Sequence, residues 1–96
     1  MEPVKVIKRS ESDAGWQFTV EVGVEPDRIG YSVFLDMEYY QKITWGDHKP
    51  EELIHRSFLF LLKREAKTSI LRSFNLSEIS YYFSEYEEEM RRKMGL

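Results

Sequence analysis

His48 and His55 are the only histidines in the chain, and there is no cysteine. Imidazole and thiolate are the side chains best suited to ligating a transition metal or to acting as a base near neutral pH. The two imidazoles stand seven residues apart, one in a loop and one on an expected helix. Neither His-x-x-x-His nor His-x-His spacing occurs, so a metal site needs carboxylates such as Asp47 and Glu51 beside them. The simpler reading is a loop histidine and a surface histidine, and no metal ligand is assigned. A nucleophilic triad needs a hydroxyl, a histidine and an acid that converge. Serines are present, but no Gly-x-Ser-x-Gly elbow is. The carboxylate pair Glu51–Glu52 is explained by a helix start. The glycines (Gly15, Gly23, Gly30, Gly46, Gly95) are isolated, so no glycine loop cradles a phosphate. No catalytic residue and no cofactor is assigned. A small hydrolase or metal protein built on His48, His55 and Asp47 is the last-ranked alternative.

Cations offer a different chemistry. Arg56, Lys63, Arg64, Lys67 and Arg72 face one acid, Glu65, in the stretch 56–72. Clustered Lys and Arg can neutralise phosphates, which makes nucleic-acid binding an alternative function. Against it, the whole chain carries 14 basic and 17 acidic residues, a net charge of −3. Lys63 and Arg64 are also what the C-terminal end of a helix favours, and no groove-reading motif is present.

The elements that must position these residues divide the chain in two. Val4 to Lys8 reads as a strand, followed by a polar turn over residues 10–15. Trp16, Phe18, Val20, Val22 and Val24 then alternate with polar residues and glycine, which is a half-buried strand. After Glu25-Pro26-Asp27-Arg28 the alternation resumes with Ile29, Tyr31, Val33, Leu35 and Met37. Phe34 is an apolar exception on the outer face. Residues 39–45 are expected to turn near Tyr40-Gln41 and to add a short fourth strand, Lys42 to Trp45.

The second half reads as helix. Pro50 suits the first helical position, and Glu51 and Glu52 suit the positive end of the dipole. Leu53, Ile54, Phe58, Leu61 and Leu62 make an apolar stripe, which Leu59 and Phe60 widen. A short helix is expected from Thr68 or Ser69 to Asn75, and another from Ser77 through Phe83. Ser84-x-x-Glu87 is a capping-box pattern for the last helix. Its acids come early and its bases late, and Gly95 can close it. The stripe Tyr86, Met90, Met94 is narrow for a helix that joins a core.

These segments define one α+β domain over residues 1–96. An antiparallel three- to four-stranded sheet covers about 3–45. One long and two or three short helices, packed on one face, cover about 50–94. At 96 residues and 42% hydrophobic content, one core is affordable and two domains are not. The N-terminus lacks the pattern of a signal peptide. The longest strongly apolar run, Phe58 to Leu62, is far short of the roughly 20 residues of a membrane span. Together with the missing cysteines, this leads to the expectation of a cytoplasmic protein with no membrane partner. The charge is divided as well: residues 1–48 carry 5 basic and 9 acidic residues, residues 49–96 carry 9 and 8.

Two resemblances bear on function. The second half resembles an uncharacterised bacterial family with the pattern Glu-Glu-Leu-Ile-x-x-Ser-Phe-x-Phe-Leu-Leu-x-Arg-Glu, then Ser-Ile-Leu-x-x-Phe-x-Leu, then Tyr-Phe-x-Glu-Tyr-Glu. Here these are Glu51–Ile54, Ser57-Phe58, Phe60–Leu62, Arg64-Glu65, Ser69–Leu71, Phe74, Leu76, Tyr82-Phe83 and Glu85–Glu87. The family's prolines are replaced by Ala66 and Ser84, and it brings no activity with it. Gly30-Tyr31-Ser32-Val33, Thr44-Trp45-Gly46-Asp47 and Glu51-Glu52-Leu53 resemble the strand-to-helix passage of HicB-type antitoxins. That likeness implies a sheet with helices that pairs with a toxin. The resulting expectation is a non-enzymatic protein-interaction module, antitoxin-like in one version. Its partner is another protein or a second copy of itself. Phe34, Leu59, Phe60, Tyr86, Met90 and Met94 are the expected interface.

Overall fold

The computed structural model describes residues 2–95. The alternation read from residues 16–37 places its apolar members on one side of a sheet. β1 (Val4–Ser12), β2 (Gly15–Val22) and β3 (Ile29–Asp36) form an antiparallel meander. Trp16, Phe18, Val20 and Val22 of β2 and Tyr31, Val33 and Leu35 of β3 are buried. On the other face, Gln17 Nε2 donates to Ser32 Oγ at 2.7 Å and Arg9 Nε to Thr19 Oγ1 at 3.0 Å. Ser10 to Ser12, expected in a turn, continue β1 beyond a bulge at Arg9, so the turn is only Asp13–Ala14. Gly15 makes that turn fit. Its φ is +146°, and a Cβ there would lie 2.0 Å from the Leu35 carbonyl oxygen.

Residues 39–45 do not form a fourth strand. Residues 39–44 belong to α1 (Met37–Thr44), whose residues Tyr39, Tyr40, Ile43 and Thr44 are buried, and Trp45 is its C-cap. Their spacing of one, three and one gives a helix face, whereas a strand would send adjacent tyrosines to opposite sides. Thr44 Oγ1 donates to Tyr40 O at 2.8 Å and accepts from Gly46 N at 3.1 Å. Trp45 closes the helix in the left-handed region at φ 57°.

α2 (Pro50–Leu62) starts where the proline and acids place it and lies against β1. Leu53, Ile54, Ser57, Phe58, Phe60 and Leu61 are buried. The expected helix from residue 68 or 69 to 75 is absent. A 3₁₀ turn, Lys67–Ser69, leads instead into β4 (Ser73–Asn75), which pairs parallel to β3. The sheet, in the order β1-β2-β3-β4, is therefore mixed and not purely antiparallel. Ile70 and Phe74 are both buried, and a spacing of four suits helix and strand alike. The backbone decides between them: Ser32 N on β3 donates to Arg72 O at 2.7 Å.

Beyond β4, Asn75 and not Ser77 provides the cap. Asn75 Oδ1 accepts from Ser77 N, and Glu78 Oε2 accepts from Asn75 N at 2.8 Å, a reciprocal capping box. A 3₁₀ turn, Leu76–Glu78, runs into α3 (Ile79–Tyr82). α4 (Tyr86–Lys93) follows, with Glu85 at its N-cap and no side-chain cap bond, so the Ser84 capping box does not form. The architecture is α+β, with mostly short helices. No described helix is long and apolar enough to cross a membrane.

Candidate protein-interaction groove

Four of the five residues expected to dock a partner from the helical half turn inward. Phe60, Tyr86, Met90 and Met94 are buried in the domain's own core. Tyr86 packs edge-on to Phe60 with ring centroids 5.2 Å apart. Its hydroxyl lies 2.6 Å from Ser57 Oγ, which itself donates to Leu53 O at 2.7 Å. The hydroxyl proton of Tyr86 therefore points at Ser57. A narrow stripe suffices for α4 because each of its members is long and fully enclosed. Leu59 and Phe34 keep partial exposure, Phe34 on the outer sheet face between Gln17 and Asn75.

The five cations of the 56–72 stretch are dispersed and mostly paired. Arg56 Nε meets Glu52 Oε2 at 3.2 Å. That bond, helped by His48 Nδ1 at 3.4 Å from the other oxygen, holds the Glu52 carboxyl below its ordinary value. Arg64 lies over Phe60, 3.6 Å from the ring centroid, and bonds Phe60 O, Glu85 and Glu89. Lys67 pairs with Glu2, and its carbonyl accepts from Tyr31 Oη at 2.6 Å. Burial raises the Tyr31 hydroxyl pKa against the opposing charge of nearby Arg72. Arg72 and Lys63 are exposed and make no ion pair among the described residues. His48 is engaged with Glu52, Asp47 N–H donates to Thr44 O, and His55 stands half-buried on α2. Among the described residues no three His, Asp or Glu side chains gather as metal ligands.

The large apolar side chains that remain exposed among the described residues are a different set: Val24, Trp45, Leu71, Tyr81 and Tyr82. Leu71 is 52% exposed, Tyr81 80% and Tyr82 69%. Leu71 and Tyr82 border a groove of about 280 Å³, which runs from the C-terminal end of α2 across β4 to α3. Leu61, Ile70, Phe74 and Ile79, all largely buried, contribute to its lining, together with the half-buried Phe83. Its acids are Glu65 and Glu78. Glu78 is anchored by the capping box, while Glu65 is half-buried and makes no ion pair among the described residues. The groove is thus apolar at its base and acidic at its wall.

Comparison of the chain with protein families, curated proteins and solved structures finds no match. The geometry alone therefore carries the functional reading.

Sequence reasoning missed Leu71, Tyr81 and Tyr82, because a helix over 69–75 and a longer one after Ser77 would have absorbed them. One signal was available. Ile79-Ser80 is followed by two adjacent tyrosines, and a helix that ends at Tyr82 buries Ile79 alone. Trp45, 66% exposed at a left-handed cap, was hidden by the strand reading.

Proposed function

We propose that this protein is a non-enzymatic interaction module that docks a segment of another protein in the groove between the end of α2, β4 and α3. The observation that carries this reading is the placement of Leu71 and Tyr82 at the rim of an apolar groove, with Tyr81 exposed beside them. Soluble monomers rarely leave contiguous apolar surface without use, and tyrosine is enriched where binding energy concentrates. Glu65 and Glu78 select the occupant: an amphipathic segment with apolar anchors for the groove and a Lys or Arg for its wall. In the version that the sequence resemblance to HicB-type antitoxins implies, the partner is a toxin-type protein and the module is an antitoxin.

The test compares wild type with Leu71→Glu and Tyr82→Ser in affinity capture from native cells. The expected outcome is one specific partner that carries a basic, amphipathic segment and is lost by both variants. Recovery of the same partner by all three proteins, or self-association through this surface in light scattering, overturns the reading.

A further inference from the structure

A separate surface lies further up α2, where it meets α4. Arg56 of α2, Lys63 at its C-cap and Lys93 of α4 line a hollow of about 90 Å³, with Leu59, Phe60 and Met90 as its apolar members. Glu89 is the one carboxylate lining the hollow, and it is already shared. Arg64 Nη2 meets it at 3.2 Å, Arg92 Nη2 at 3.8 Å and Lys93 Nζ at 3.9 Å. Arg56 gives its Nε to Glu52, which leaves the terminal nitrogens of the guanidinium uncommitted among the described residues. Lys63 and Lys93 line the same hollow, and the neighbouring Lys63 ammonium pushes that of Lys93 below its ordinary value. Both are long, exposed side chains on different helices. Cations that converge over one concavity with too few carboxylates create a positive potential that an anion relieves.

We propose that Arg56, Lys63 and Lys93 form a binding site for a phosphate group. A guanidinium fork and two point-charge ammoniums are complementary to the oxygens of a tetrahedral oxyanion. The hollow is small and its polar lining is mostly cationic, so the recognised unit is the phosphate group itself. Its source is either a small phosphorylated molecule or the backbone of a nucleic acid. Lys93 separates this site from the run of cations at 56–72, because α4 brings in a residue that lies far away in sequence. Arg64, Lys67 and Arg72 take no part.

Titration of isotope-labelled protein with inorganic phosphate and pyrophosphate, followed through the lysine side-chain resonances, tests the site. The expected result is saturable shifts at Lys63 and Lys93 and a rise in the Lys93 titration midpoint when phosphate is bound. A Lys63→Gln/Lys93→Gln variant weakens binding at least tenfold. A Lys5→Gln/Lys8→Gln variant, altered on β1, binds as wild type does. A single-stranded oligothymidylate, titrated in parallel, distinguishes the sources. Tighter binding with steep salt dependence assigns the phosphate to nucleic acid, and binding no tighter than pyrophosphate assigns it to a small molecule. Shifts that rise linearly without saturation, or equal affinity in both double variants, overturn the proposal.

Discussion

Tyr86 carries a hydroxyl to the centre of the core, where it lies 2.6 Å from Ser57 Oγ. Burial pushes its ionisation well above the ordinary value of 10.0, and Tyr39 is raised by burial, by Tyr86 and by its bond to Glu87. Above pH 10 the unfolded chain releases tyrosine protons that the folded chain retains. Stability is therefore fully present below pH 10 and declines as pH rises beyond it. Urea unfolding midpoints are expected to fall between pH 9 and 11, and to fall less steeply for Tyr86→Phe. At neutral pH that variant loses about 1 kcal/mol, because Ser57 retains its bond to Leu53 O. A midpoint that is flat with pH in wild type contradicts this. Glu52 works in the opposite direction. Its carboxyl is lowered from 4.5, so its contribution is present above that value and is lost as pH falls below it. With Glu52 well exposed, that loss is small.

Among the elements, β4 and α4 show where local pattern stops being decisive. The alternation of β2 and β3 and the proline-led start of α2 were legible because period and capping pointed the same way. Ile70 and Phe74 fit two periods, so only the pairing partner on β3 could settle their conformation. A turn near Tyr40-Gln41 and a strand from Lys42 to Trp45 were expected because β3 alternates up to its end, and Met37, the first residue of α1, continues the pattern by coincidence. α4 looked too sparse because sequence shows how many apolar residues a helix has, not how deeply each is set. Its depth predicts that Met90→Ala costs about 2–5 kcal/mol, as core truncations do, measured by denaturant unfolding. A cost below 1 kcal/mol would place α4 loosely on the domain. The capping box makes a second, milder prediction. Glu78→Ala costs about 1 kcal/mol and speeds amide hydrogen exchange at Asn75, whose N–H loses its acceptor. Unchanged exchange there argues against the cap as the device that ends β4.

For the molecule as a whole, apolar surface is redistributed relative to what composition suggested. Phe60, Tyr86, Met90 and Met94 complete the monomer's own core, which removes the main reason to expect a homodimer. The isolated protein is expected to run as a monomer in light scattering. Of the apolar side chains left exposed, Val24 and Trp45 stand apart, while Leu71 and Tyr82 line the groove at the end of α2, β4 and α3 together with Glu65 and Glu78, and Tyr81 adjoins Tyr82 in the chain. Neither the groove nor the Lys93 hollow could be read in advance, since each joins residues from different elements, and one of them, β4, was expected to be helix. The claim that this groove is the working surface is tested most directly by a photo-crosslinking side chain placed at position 82 or at position 17, on the open sheet face. The account predicts one discrete adduct in native cells from position 82, none from position 17, and loss of the adduct with Leu71→Glu. No adduct from position 82, or the same adduct from both positions, would contradict it.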